Sequence, residues 1–402
     1  GSGAESLFAN YLLGMDSSLF ERLGALFSGQ KQRGSNVKLT VDAKLNDCAA
    51  ENLSGYKGAV VVMNYKTGEI LAMTSSPTFD LNDLSAFFNE DGGEAETGED
   101  GALVNRATAG QYTPGSVFKI ITAAAALRYL PNAQEMLIEC GGPMAFDKEQ
   151  GRYLPNVSTT PEEDAENKKK PESELEYLYV RDYQSSFHDE LSLTTAFAKS
   201  CNVSFAKIGL ELGADRVVRM AQELGVGVDF TFRDIVIYPS SIEKGKSDYE
   251  HAWMSVGQYR DVLTPMNLCM ITACIANDGI MMEPKLLHSV INSNNRITKS
   301  LTQTVYSTPL STEEAQALQQ LMVAVVESGT GTRAQIDGYT VGGKTGTAQV
   351  GSNVEDHAWF TGFVLSDDHP YAITVVVENG GSGGTVAAPI ARNVLKRAIE
   401  LD

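Results

Sequence analysis

Pro114-Gly115-Ser116-Val117-Phe118-Lys119, running on into the apolar stretch Ile120 to Leu127, is the segment on which the reading of this chain turns. Pro114 and Gly115 interrupt the backbone and a helical apolar pattern begins at the serine, so the Ser116 hydroxyl is expected at a helix N-terminus. Free N–H groups and the helix dipole favour developing negative charge there. Lys119 falls one turn along the same face, where its amine can reach the serine oxygen. A lysine accepts a serine proton only if part of it is neutral, which requires burial or a neighbouring cation. Lys344 is the candidate cation. Alone, the S-x-x-K string fits a capped helix with a solvated lysine better than a catalytic pair.

Two further segments change that balance. Ser200-Cys201-Asn202 follows a helical stretch, Leu191 to Lys199, and Lys344-Thr345-Gly346 lies in an extended stretch, Tyr339 to Val350. Ser200 is expected to relay a proton and Asn202 to hold a substrate amide. Thr345 and Thr347 are assigned to a substrate carboxylate and Gly346 to close backbone approach. The N–H groups of Ser116 and Thr347 are assigned to an oxyanion hole. Strand parity puts both threonines on one face and Lys344 on the other, so the long lysine stem must bend back.

Two other motif matches fail on context. Gly338 to Thr345 fits the phosphate-cradling G-x-x-x-x-G-K-[ST], yet no apolar strand precedes it and no helical pattern follows. Gly380 to Gly384 fits the G-x-S-x-G nucleophile elbow, but the last histidine, His369, precedes it, which that fold's chain order forbids. A flexible glycine loop is expected there instead.

Strand patterns occupy both ends of the chain and helical patterns the middle. Gly58 to Asn64 and Glu69 to Thr74 read as a hairpin, and Tyr339 to Val350, Ala358 to Leu365 and Tyr371 to Glu378 as three more strands. The expected fold is α/β (α+β): one antiparallel sheet of about five strands, flanked by helices, with an inserted helical lobe. Two polar stretches, Asn89 to Gly101 and Pro155 to Glu176, are expected to be solvated loops rather than binding surfaces. Residues 1–36 read as an expression scar (Gly1-Ser2-Gly3), linker or remnant of a non-catalytic domain, and 37–402 as the catalytic domain.

The chain has 402 residues and a formal net charge of −19, which disfavours nucleic acid and anionic lipid as partners and favours a cationic substrate group. Its five cysteines and five histidines show no metal-ligand spacing, so neither a metal nor a cofactor is assigned.

S-x-x-K, S-x-N and K-T-G in this order form the motif set of serine β-lactamases and penicillin-binding proteins. The chain resembles the transpeptidase domain of a class B, monofunctional penicillin-binding protein. Similar segments are Gly58-Ala-Val-Val-Val-Met63, Asn105-Arg-Ala-Thr108, Ser255-Val-Gly-Gln258, Leu263-Thr-Pro265, Ile275-Ala-Asn-Asp-Gly279 and Ala358-Trp-Phe-Thr-Gly-Phe363. The resemblance implies a D,D-transpeptidase whose Ser116 is acylated by D-Ala-D-Ala stem peptides and trapped by β-lactams, with a glycosyltransferase partner. It also implies a location on the extracytoplasmic face of the bacterial membrane, held by an N-terminal helix. A D,D-carboxypeptidase, a serine β-lactamase and a non-catalytic wall-binding scaffold on the same fold are the alternatives.

Overall fold

The computed structural model describes residues 3–15, 27, 34–80, 101–183, 187–351 and 354–401. Five strands make the central sheet: β1 (Gly58–Asn64), β2 (Ile70–Ser76), β3 (Thr340–Ala348), β4 (His357–Leu365) and β5 (Tyr371–Val377), all antiparallel in the order β3-β4-β5-β1-β2. β5 pairs with β1, Val375 opposite Val60, so the two ends of the chain meet at the middle of the sheet, as the sequence pattern predicts.

Both faces of the sheet are covered, which explains why the strands read as continuous apolar runs rather than alternating ones. On one face lie Val60, Val62, Phe360 and Val375, packed against helices α1 (Ala43–Asn52) and α7 (Ala387–Leu401). The other face, with Val61, Trp359 and Phe363, packs against the helical lobe. Along the chain, that lobe includes α2 (Lys119–Tyr129), α3 (Pro161–Asn167), α4 (Asn202–Leu212), α5 (Pro265–Ala276) and α6 (Thr312–Ser328). α5 is buried along its whole length between sheet and lobe. α6 starts at a capping box in which the Ser311 hydroxyl accepts from the Glu314 N–H and the Glu314 carboxylate from the Ser311 N–H.

The second polar stretch differs from its expectation. Within Pro155 to Glu176 a Thr160/Glu163 capping box starts α3, whose Asp164 is fully buried and paired with Arg181 Nε at 2.6 Å. The acidic, proline-rich composition that suggests solvation here serves helix initiation and one buried ion pair. The first stretch lies outside the described residues apart from Gly101. Near the start of the chain Phe8 is buried in the main core and the Lys299 amine donates to the Tyr11 hydroxyl at 2.8 Å, so this segment packs on the main core. Among the described residues no helix is long and apolar enough to cross a membrane.

Where α5 crosses the sheet, three buried threonines share one hydroxyl cluster: Thr361 Oγ1 lies 2.6 Å from Thr272 Oγ1 and 2.7 Å from Thr374 Oγ1. Thr361→Val keeps the shape but leaves two buried hydroxyls short of a partner. Urea unfolding should show a loss of about 1–3 kcal/mol with an unchanged slope.

Candidate active site

Ser116 sits in a single 3₁₀ turn, Gly115–Phe118, that runs directly into α2. Gly115 adopts φ +55°, and a side chain there would meet the Thr347 carbonyl at 2.9 Å and Ala348 at 3.0 Å. Only glycine lets this turn lie flat against β3. Gly346 closes the same contact from the strand side, because a Cβ on it would come within 3.0 Å of the Pro114 carbonyl and Val117. Its close approach is therefore to the serine turn itself.

Lys119 and Lys344 are both fully buried. The Lys119 amine lies 3.2 Å from Ser116 Oγ and also reaches the Ser200 carbonyl at 2.5 Å, Asn202 Oδ1 at 2.7 Å and Ser200 Oγ at 3.3 Å. The Lys344 amine bends back as strand parity requires, donating to Ser200 Oγ at 2.8 Å and to the Thr345 carbonyl at 3.1 Å. Ser200 holds a left-handed backbone, φ +59°, which turns both its carbonyl and its hydroxyl toward the lysines. Such a conformation in a residue other than glycine costs about 1–3 kcal/mol and persists only where neighbours enforce it.

A neutral lysine has two donor hydrogens and one lone pair. At Lys119 the Ser200 carbonyl and Asn202 Oδ1 take the two hydrogens, which leaves the lone pair for the Ser116 hydroxyl. Burial lowers the Lys119 pKa to about 8, against the opposing pull of Asp182 and Cys201. Lys344 is pushed well below its ordinary value, again by burial first and by the charge of Lys119 second. The expected influence of Lys344 on Lys119 thus gives way to two desolvated amines competing for one charge beside Ser200.

Asn202 has a further task within the protein. Its Nδ2 donates to the Arg181 carbonyl at 2.8 Å while Oδ1 accepts from Lys119, so both ends of the amide are engaged within the protein. Its placement depends on Asp182, a residue with no sequence motif to mark it. One Asp182 oxygen accepts from the Asn202 and Val203 N–H groups, and the other lies against the thiols of Cys140 and Cys201 and the His188 ring. Two of the cysteines and one histidine thus meet Asp182 beside the S-C-N tripeptide, although no sequence spacing marks them.

The cleft over Ser116 encloses about 830 Å³ and is lined by Ser116, Ser200, Asn202, Thr345 and Thr347. Thr345 Oγ1 is 2.5 Å from Thr330 Oγ1, and Thr347 Oγ1 accepts from the Gly383 N–H at 3.4 Å. Ser382, from the glycine-rich loop between β5 and α7, lines it too, as do residues of the second polar stretch from Asn167 to Leu175. That stretch is consequently part of the cleft wall, contrary to its reading as a solvated loop. Five basic side chains (Lys168, Lys170, Arg181, Lys199 and Arg333) line the cleft against two acidic ones, Glu172 and Asp182. Local charge is opposite in sign to the whole chain, so an anionic rather than a cationic group is attracted here.

Residues 58–129 and 158–396 match the family model of the penicillin binding protein transpeptidase domain. The chain is 31% identical to the peptidoglycan D,D-transpeptidase PbpA of Mycolicibacterium smegmatis over 99% of its own length and 79% of that protein. It is 28% identical to the peptidoglycan D,D-transpeptidase MrdA of Acinetobacter baumannii over 90% of this chain and 53% of that one. Among solved structures, penicillin-binding protein A from M. tuberculosis as an imipenem acyl-enzyme superposes with a TM-score of 0.83 at 28% identity, covering 99% of this chain and 87% of that one. The D,D-transpeptidase domain of an Eggerthella lenta peptidoglycan glycosyltransferase gives 0.81 at 29% identity, covering 100% and 87%. With its serine, two lysines and S-x-N hydroxyl drawn together on this sheet edge, the chain belongs to the penicillin-binding protein transpeptidase family.

Proposed function

We propose that this protein is a peptidoglycan D,D-transpeptidase in which Ser116 forms the acyl-enzyme. The observation that carries the reading is the Ser116 hydroxyl, open to the cleft and 3.2 Å from a buried amine whose other acceptors are already assigned. It is supported by relatives named as D,D-transpeptidases that match nearly the whole chain, and by related structures caught as β-lactam acyl-enzymes.

Lys119 takes the proton as Ser116 Oγ attacks the carbonyl carbon between the two terminal D-alanines of a stem peptide. The N–H groups of Ser116 and Thr347 receive the developing oxyanion. The C–N bond then breaks and Ser200 gives its proton to the departing D-alanine amine while taking the one held by Lys119 at 3.3 Å, with Lys344 at 2.8 Å orienting its hydroxyl. Thr345 and Thr347, with the basic cleft around them, hold the terminal carboxylate, while Gly346 keeps strand and serine turn in contact. Asn202 acts by holding Lys119 in place. An amine from a second stem peptide attacks the ester by the reverse proton path, which forms the cross-link and frees Ser116.

β-Lactams present the same carbonyl in a ring and leave the acyl group on the serine. In this reading the enzyme works outside the cytoplasmic membrane, anchored by an N-terminal helix and paired with a glycosyltransferase. Residues 37–402 then form the catalytic domain, and 1–36 a scar, linker or remnant of a non-catalytic domain.

Intact-protein mass spectrometry with benzylpenicillin should show one added drug mass, mapped to the peptide carrying Ser116 and abolished by Ser116→Ala. An adduct on Ser382 would overturn the assignment. Lys119→Arg keeps a cation but cannot take a proton at neutral pH, so acylation should slow by at least about a hundredfold. A rate within tenfold of wild type would remove Lys119 as the base.

The adduct is expected to persist, because Asp182, a carboxylate of the cleft wall, is engaged by backbone N–H groups and thiols rather than placed to activate water. Drug consumption followed by absorbance should be a single burst. Steady hydrolysis near the typical enzyme rate of about 10 per second would instead identify a β-lactamase.

A further inference from the structure

One terminal carboxylate, held by Thr345 and Thr347, needs only part of the basic lining of the cleft. Arg181 is committed to Asp164 at 2.6 Å, whereas Lys168, Lys170, Lys199 and Arg333 are exposed at the wall and their side chains make no ion pair or hydrogen bond among the described residues. In a chain with 51 acidic and 32 basic residues, cations left unpaired around one cleft run against composition. The polar insertion is sorted in the same way. Seven carboxylates and three lysines lie between Pro155 and Glu176, yet the wall receives two of the lysines, Lys168 and Lys170, and one carboxylate, Glu172. Lys169, between the two, pairs with Glu166 at 2.6 Å instead. Lys199 arrives from a different element, the end of the helix Leu193–Ala198, beside Ser200. Arg333 belongs to the K-T-G side, just after Thr330, whose hydroxyl lies 2.5 Å from that of Thr345.

We propose that Lys168, Lys170 and Lys199 form a second anion subsite, which selects stem peptides with a free carboxylate ahead of the D-Ala-D-Ala pair over those in which that group is amidated. The proposal rests on the transpeptidase reading, in which the leaving D-alanine and its carboxylate occupy Thr345 and Thr347 and the preceding residues of the donor have the S-x-N side. At physiological salt, charges more than about 8 Å apart are largely screened, so the distant carboxylates of the chain weigh little against three lysines at the wall. Each exposed pair is weak alone, and the selection comes from cations of two elements acting on one group, a preference of about tenfold. Lys168 and Lys199 also follow the last turns of their helices, where a cation offsets the helix dipole. That role alone affects stability and leaves the choice between donors unchanged.

Two donor peptides that differ only in a carboxylate or a carboxamide on the residue preceding D-Ala-D-Ala test the subsite. NMR titration of the Ser116→Ala chain reads binding without chemistry, D-alanine release by the unmodified chain reads acylation, and benzylpenicillin labelling of Ser116 reports on the transpeptidase reading separately. The carboxylate peptide should bind about tenfold more tightly at low salt, and the ratio should fall toward one in molar salt. The double variant Lys168→Glu/Lys170→Glu, and Lys199→Gln on its own, should each bring the ratio toward one at low salt. Should the double variant fold poorly, Lys199→Gln and the salt dependence still read the subsite. Equal binding of the two peptides at low salt would overturn the proposal, as would a ratio unchanged in the variants. An intact ratio without penicillin labelling would support the subsite and overturn the acylation of Ser116.

Discussion

Two fully buried lysine amines meeting at one hydroxyl, that of Ser200, set the terms for the rest of the structure. Neither amine can be moved out of water at ordinary cost while charged, so each must lose its proton part of the time or find fixed dipoles. The fold supplies the dipoles from backbone and amide oxygens: the Ser200 carbonyl and Asn202 Oδ1 for Lys119, the Thr345 carbonyl for Lys344. Phe205 and Phe197 lie within 5.7 Å and 5.5 Å of the two amines and keep the space dry. A solvated lysine on the same helix would be protonated at neutral pH and useless as a base.

This arrangement explains why elements distant in sequence must meet so closely. The S-x-N tripeptide comes from the helical lobe and Lys344 from the edge strand of the sheet, while Ser116 and Lys119 come from the helix between them. Gly115 and Gly346 remove the atoms that would hold turn and strand apart. Asp182 sets the tripeptide through the Asn202 and Val203 N–H groups, and the short insertion with α3 is in turn tied to the Asp182 loop by Asp164 and Arg181. The acidic chain thereby carries a basic cleft, since the lysines of that insertion lie at its wall.

Much of this was legible in the sequence because it depends on local periodicity and motif order. The helix over Lys119, the hairpin at Gly58 and the strand at Lys344 all lie where apolar spacing puts them, and the S-x-x-K, S-x-N and K-T-G residues converge. What escaped depends on tertiary burial. The carboxylate of Asp182 is 42 residues from Cys140, 6 from His188 and 19 from Cys201, a set with no recurring spacing to detect. Burial of Asp164 in a polar stretch, the engagement of both ends of the Asn202 amide and the dominance of desolvation over Lys344 at Lys119 are likewise invisible to composition and period.

Acylation of Ser116 depends most directly on the protonation of Lys119. An NMR titration of its side-chain amine, with the resonance assigned by comparison with a Lys119→Ala variant, should give a midpoint of about 8. A midpoint near the ordinary lysine value of about 10.4 would contradict the claim that burial prepares this lysine to take the Ser116 proton.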